Sequence, residues 1–339
     1  MTPMNPAMTR RLSHLFCQMA GLLVLLASPA VLAQTAPNAD AALAESEHDH
    51  EHDESSEPEP SASALQALQG WLDDALAPAQ VQTGKNNIRR AFRVANYSAR
   101  SGDTIRKVAY RYMTSPSLVA WVSGLSLESG RDIALRPGQK IRVPILFRSP
   151  SGFVEGEQLT ESVGIAANHR QDTRWGRPQV VHLVRTVLRD MNRRWPARHP
   201  ALVGSLSRMG GGALGKHKSH RSGQDVDIGY FTSASARKTW GLPRLGEIDY
   251  ERTWYLVDAL EKSGHAAAIF MSPDIQRRLY SYAVKHGESP ERLRSLFQYG
   301  PKGGKGEALI RHSPGHRDHV HIRLLVPQDM QAERAELGV

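Results

Sequence analysis

Apolar residues in this chain recur with two different periods, and the change from one to the other marks its elements. In PQVVHLVRTVLRDMNRRW, from residue 178, Val180, Val184, Val187, Leu188 and Met191 fall on one side of a 3.6-residue repeat. With Pro178 in the first turn, that spacing predicts a helix. A second helix is predicted over 249–262, and shorter ones start at Pro273 and Pro290. Short strands are expected near 202–206, 226–231, 267–271 and 319–325. Strands and helices mix without a repeating βαβ unit, so residues 155–330 predict one α+β domain, with a short antiparallel sheet flanked by helices.

A smaller unit precedes it over residues 97–146. Ser101-Gly102-Asp103 makes a turn, and Asp103 or Thr104 can cap a helix whose Ile105, Val108, Ala109 and Tyr112 share a face. A second helix begins near 115–117. The turn Arg136-Pro137-Gly138-Gln139 then feeds an alternating strand, Lys140 to Pro144. Two strands around two helices is the expected arrangement, βααβ. Further upstream, Leu65, Leu68, Trp71, Leu72 and Leu76 predict one amphipathic helix in the connecting segment 65–96.

The first hundred residues change the picture in another way. Arg10 and Arg11 precede an apolar run that closes on small residues at Val31 and Ala33, the pattern of a cleaved export signal over 1–33. That run is shorter than a membrane span requires, so the mature chain is expected to carry no span and to work in the periplasm. The single cysteine, Cys17, lies inside this signal, so no disulfide holds the mature fold and its core or a bound metal must do so. Residues 34–64 form an acidic, His-rich linker with almost no large apolar groups, expected to be disordered. His48, His50 and His52 there read as part of a solvated spacer that could collect metal loosely. A short tail, 331–339, ends the chain.

Charge divides along the same boundary. Residues 1–84 hold two basic and eleven acidic side chains, leaving 41 basic and 23 acidic to the rest. A body so cationic suits an anionic partner, either nucleic acid or the acidic polymers of a cell envelope. Export selects the envelope, and no nucleic-acid motif is present.

The candidate chemistry lies in two clusters about a hundred residues apart. HSPGHRDHVH, from residue 312, holds His312, His316, His319 and His321. Strand alternation turns His319, His321 and Arg323 to one face and Val320, Ile322 and Leu324 to the core, which sets the two imidazoles ~7 Å apart. GKHKSHRSGQDVDIGYF offers His217 and His220 on a glycine-rich loop, then Asp225 and Asp227 on one face of a strand. Nitrogen and carboxylate donors suit Zn2+, whose catalytic sites keep three protein ligands and one position for water. One loop His, one strand Asp and one His of the last strand meet that demand. His182, His199, His265 and His286 read as structural or exposed.

Two resemblances follow from these residues. YSARSGDTIRKVAYRY, SPSLVAWVSGLS and LRPGQKIRVP resemble a LysM module, which implies a βααβ fold that binds N-acetylglucosamine-containing glycan strands. Val122-Ser123 stands where that module commonly has Asn. Over most of 160–328 the chain resembles the penicillin-insensitive murein endopeptidases, zinc peptidases related to the enzymes that cleave D-Ala-D-Ala. The match rests on His220 followed seven residues later by Asp227, on His319-Val320-His321, and on the surrounding segments 217–228 and 315–321, with Arg174-Trp175-Gly176 upstream. It implies Zn2+ held by His220, Asp227 and His321, with His319, His316 and His217 lining the water and the scissile bond. Known members carry disulfides that this chain lacks the cysteines to form.

Together these imply an exported zinc endopeptidase that hydrolyses D-alanyl-diaminopimelyl cross-links between stem peptides of peptidoglycan, anchored by the LysM-like module. A D-Ala-D-Ala or LD-type zinc carboxypeptidase and a non-catalytic wall-binding protein remain as alternatives. No Glu accompanies the ligands, so His319 is the expected general base, His316 or His217 the oxyanion donor, and Asp225 a partner that orients a ligand imidazole. Lys216, Lys218, Arg221, Arg317 and Arg323 are expected to meet stem-peptide carboxylates.

Overall fold

In the computed structural model, residues 81–83, 92–146, 152–153, 155–167, 170–232, 240–299 and 307–327 are described. The segments where an export signal, an acidic linker and a helix over 65–76 are expected, and the tail from 331, lie outside the described residues. What remains is a mixed α and β structure with six helices and short sheets among the described residues, in keeping with the α+β reading.

Residues 92–146 form a strand–helix–helix–strand unit. Strands β2 (Phe92–Ser98) and β3 (Lys140–Leu146) pair antiparallel, and between them run helices α1 (Ile105–Arg111) and α2 (Pro116–Val122). Thr104 caps α1 by accepting from the Lys107 amide, and Ser115 caps α2 by accepting from that of Leu118. Of the two candidate caps, Asp103 does something else. It accepts from Tyr97 Oη at 2.5 Å, the Arg100 amide at 2.8 Å and Arg111 at 3.0 Å, which ties the turn to both flanking elements. Ser123, in the place where Asn was expected, bonds both the amide and the carbonyl of Arg142 and so pins the end of α2 to β3.

The expected apolar face of α1 needs one correction. Tyr110 is fully buried and Tyr112 is half-buried, because α1 is covered on both sides. Its second side meets the larger domain. Arg106 donates to Glu261 Oε1 at 2.6 Å with both side chains buried, and Arg311 donates to the Tyr110 carbonyl. Ser115 Oγ donates to the Leu325 carbonyl at 2.6 Å, and the Ser117 amide to that of Gly264 at 2.9 Å. The small unit is docked through buried polar bonds.

The larger domain is built on a six-stranded sheet in the order β10-β9-β11-β8-β7-β5. The strands are β5 (Ile165–Ala167), β7 (Ala201–Val203), β8 (Asp225–Gly229), β9 (Ala266–Met271), β10 (Ile310–His312) and β11 (His319–Leu324). The sheet is mixed and not purely antiparallel as expected, since β5 pairs parallel with β7 and β10 with β9. Helix-containing crossovers cause this. Helix α3 (Pro178–Arg194) lies between β5 and β7, and α5 (Pro273–Lys285) and α6 (Pro290–Leu296) lie between β9 and β10. Helix α4 (Tyr250–Lys262) precedes β9. A second sheet joins β1 (Val81–Thr83), β4 (Glu155–Gln158) and β6 (Trp175–Gly176).

At the centre, β8 and β11 pair antiparallel with His321 opposite Asp227, Arg323 opposite Asp225 and His319 opposite Gly229. The alternate residues Val226, Ile228, Val320, Ile322 and Leu324 are at most 1% exposed. They share one core cluster with Val180, Val184 and Leu188 of α3 and Leu256 and Leu260 of α4. One face of the sheet is thereby apolar and covered, and the other carries the ionisable groups. Among the described residues, no helix is long and apolar enough to cross a membrane.

The Arg106–Glu261 pair yields a stability prediction. Arg106→Met should lower unfolding free energy by about 3 kcal/mol, because it strands a buried carboxylate that, among the described residues, then keeps the Arg292 guanidinium 3.1 Å away. Urea unfolding measures it, and a loss below about 1 kcal/mol would mean that the pair behaves as a solvated surface contact.

Candidate metal centre

Asp227 is the residue on which the site converges. Strand alternation puts it on the same side of β8 as Asp225, at 3% exposure, with Val226 and Ile228 turned into the core. Its Oδ1 lies 2.9 Å from His321 Nδ1 and 3.5 Å from His319 Nε2, and its Oδ2 lies 3.1 Å from His220 Nε2. Two of these imidazoles arrive by register on β11. The third comes from the loop before β8.

That loop takes its path because of Gly223. Its φ of +67° lies in the left-handed region, and a Cβ there would meet the Arg177 amide nitrogen at 2.8 Å and Gly176 Cα at 3.0 Å. The close approach seats the loop against β6 and carries His220 inward, to 1% exposure. His220 Nδ1 donates to the Leu206 carbonyl at 2.8 Å, which fixes the tautomer and turns Nε2 toward Asp227. His217, three residues earlier, stays exposed, with its ring centroid 4.8 Å from that of His220.

His321 is anchored in the same fashion. Its Nε2 lies 3.0 Å from Asp225 Oδ1, while Nδ1 faces Asp227. Asp225 also accepts from Arg323 Nε at 2.9 Å. Arg323 is thus committed to the site's interior and is not available to a substrate carboxylate, contrary to expectation. The reason is register, which sets it directly opposite Asp225.

The charge states follow from these contacts. Burial alone would raise the Asp227 pKa, but hydrogen bonds from His220 and His321 overcome it and hold the carboxyl well below its usual range. For Asp225, burial is likewise overcome, chiefly by the Arg323 charge, and the pKa falls to about 2. His321 is pushed the other way, to about 9, since bonds to Asp225 and Asp227 outweigh its burial. Burial, then neighbouring imidazoles, lower His217. His316 is also lowered, mainly by burial. Two carboxylates here stay ionised in a space that water barely reaches, balanced by one guanidinium and one imidazolium.

This donor set fits a divalent ion. Ligand atoms of His217, His220 and Asp227 all lie within 4.8 Å of one another. Bonds of ~2.0–2.2 Å to a tetrahedral ion bring donors to ~3.5 Å apart, so modest side-chain movement closes the set. His321, its ring held between two carboxylates, adds Nδ1 as a further donor once that nitrogen loses its proton. His217, which the sequence reading set on the lining, thus stands within reach of the same centre as His220 and Asp227.

The remaining predicted residues divide. His316 and His319 have ring centroids 5.0 Å apart, and His316 lies 5.4 Å from His321, so both stand on the wall of the centre. His312 does not join them. It is exposed at the end of β10, with its amide bonded to Gln298. Lys216, Lys218 and Arg317 are exposed near the ligands. Sequence reasoning missed Asp318 and Trp240. Asp318 Oδ1 lies 2.7 Å from His319 Nδ1, and the Trp240 indole donates to Asp318 Oδ2 at 3.0 Å. An acid beside a His in a His-rich run was a usable signal for the first. Trp240, distant in sequence, gave none.

Comparison with known families meets this geometry on its first half. The family model described as penicillin-insensitive murein endopeptidase matches residues 160–247, which include His217, His220, Asp225 and Asp227 and end before His319. A search of curated proteins finds no match. The family supports peptidase action on murein, hence on the cell wall. The segment that carries the loop histidines and both aspartates is thus similar to the penicillin-insensitive murein endopeptidases.

Proposed function

We propose that the protein is an exported, zinc-dependent endopeptidase that hydrolyses D-alanyl-diaminopimelyl cross-links between peptidoglycan stem peptides. The observation that carries this reading is the paired anchoring of His220 and His321. Each ring has its outer nitrogen held, by the Leu206 carbonyl and by Asp225, and its inner nitrogen directed at Asp227. Structural ion pairs rarely need both rings oriented this way, and ligand histidines do.

In this reading His220, Asp227 and His321 hold Zn2+, and His217 completes or borders the set. When bound, zinc would polarise the scissile carbonyl and bring the pKa of water toward ~7. The chain's own groups do the rest. His319, with Nε2 3.5 Å from Asp227 Oδ1, accepts the proton of the attacking water and returns it to the leaving amine. His217 donates a hydrogen bond to the developing oxyanion, while His316, kept neutral by burial and with its Nδ1 proton given to the Ser313 carbonyl at 3.0 Å, borders it. Lys216, Lys218 and Arg317 pair with stem-peptide carboxylates. The docked strand–helix–helix–strand unit supports a LysM-like role, presenting glycan strands to a cleft fixed relative to them. Export through the segment 1–33 delivers the enzyme to the periplasm.

Sacculus digestion followed by chromatography tests the reaction. Cross-linked dimers should disappear with zinc-loaded enzyme, and dimers that persist would reject it. Loss of D-Ala from monomeric stem peptides, with dimers intact, would indicate a carboxypeptidase instead. Metal analysis of variants tests the roles. His220→Ala should abolish stoichiometric zinc, whereas His319→Ala should keep zinc and lower turnover by roughly 10² or more. Zinc lost from His319→Ala would make it a ligand.

A further inference from the structure

The outer nitrogen of His319 is held by the side chain of its immediate neighbour in sequence. Asp318 Oδ1 lies 2.7 Å from His319 Nδ1, and Asp318 Oδ2 accepts from Trp240 Nε1 at 3.0 Å, so neither carboxylate oxygen is left to solvent alone. The Trp240 ring also leans on the His319 ring, with centroids 5.4 Å apart and planes at 37°. Trp240 has a built seat. A Cβ on Gly204 would fall 2.6 Å from its ring, and the Gly204 amide donates to the Asp227 carbonyl at 2.8 Å. The strand that supplies Asp227 is thus tied to the backbone on which the indole rests.

An exposed ion pair between neighbours in sequence would contribute little to folding and would leave the imidazole free to rotate. Here the carboxylate is itself fixed by a second donor and the ring is covered on one side. In the neutral ring only one arrangement satisfies the carboxylate contact, with the proton on Nδ1 and the lone pair of Nε2 toward the ligand set.

We propose that Asp318, held by the Trp240 indole, is a positioning residue that fixes His319 as the Nδ1–H tautomer and aims its Nε2 at the reacting atoms. The proposal rests on the reading of His319 as the group that moves the proton, but its first test is independent of activity. In the full mature chain without metal, long-range ¹⁵N–¹H spectra, with His319 assigned through His319→Gln, report which nitrogen of the neutral ring carries hydrogen. The wild type should show Nδ1–H, and Asp318→Ala should move His319 to a population dominated by Nε2–H. Asp318→Asn, which still offers an acceptor oxygen and keeps the fold if the alanine variant does not, should retain most of the Nδ1–H form. Trp240→Phe should give a mixture.

Kinetics on cross-linked muropeptides supply the second test. Asp318→Ala should lower kcat by about 10- to 100-fold with KM and zinc content unchanged. A wild-type ring already in the Nε2–H form, or a tautomer that Asp318→Ala and Asp318→Asn both leave unmoved, would overturn the proposal. If the tautomer moves as expected but wild-type enzyme leaves murein intact, the positioning stands and the assigned reaction falls.

Discussion

The register of one antiparallel strand pair is the constraint from which the site follows. With His321 opposite Asp227 and Arg323 opposite Asp225, both carboxylates of β8 meet a partner of opposite character across the ladder, and His319 stands opposite Gly229. The residues between them close the core. A slip by one position would drive two carboxylates and two imidazoles into apolar packing and expose Val226, Ile228 and Ile322 to water. Neither face would tolerate that exchange. The same alternation that makes the core thus protects the site's geometry, and a carboxylate as buried as Asp227 persists only because imidazoles surround it.

Each contact around Asp227 also has a counterpart that keeps it in place. The Leu206 carbonyl holds His220, Asp225 holds His321, and Asp318 holds His319. Three rings reach inward from three outer anchors, one a backbone oxygen and two carboxylates. Such a shell leaves the inner nitrogens few orientations, so a metal ion would meet a set that needs little ordering. The small unit extends this rigidity. It is fastened by Arg106 to α4 and by Ser115 to the segment directly after β11, so its placement is coupled to the strand that carries His319 and His321.

Much of this was legible along the chain. Period 3.6 marked α3, and period 2 put Asp225 with Asp227 and His319 with His321, because those faces depend only on backbone geometry. The start of α2, and the start of α1 with Asp103 or Thr104 as its cap, were readable for the same local reason. The parallel pairings of β5 with β7 and β9 with β10 were not, since crossover direction depends on how helices pack over the sheet. Tyr110 was misjudged because its helix is covered on a second side by residues some 150 positions away. Arg323 was assigned to substrate because pairing register is invisible in one strand alone.

The sequence by itself determined the donor inventory and the strand faces, for a side chain's direction on a strand needs no partner. It also carried the resemblance to the murein endopeptidases, since His217 to Ile228 is a contiguous stretch. Which nitrogen of each ring faces the centre was decided only by the tertiary structure. That choice belongs to Leu206, Asp225 and Asp318, and through Asp318 to Trp240 seated over Gly204. Hydrogen bonds of this kind join residues distant along the chain, and they exist only when the folded strands and loops bring an acceptor within about 3 Å of a ring.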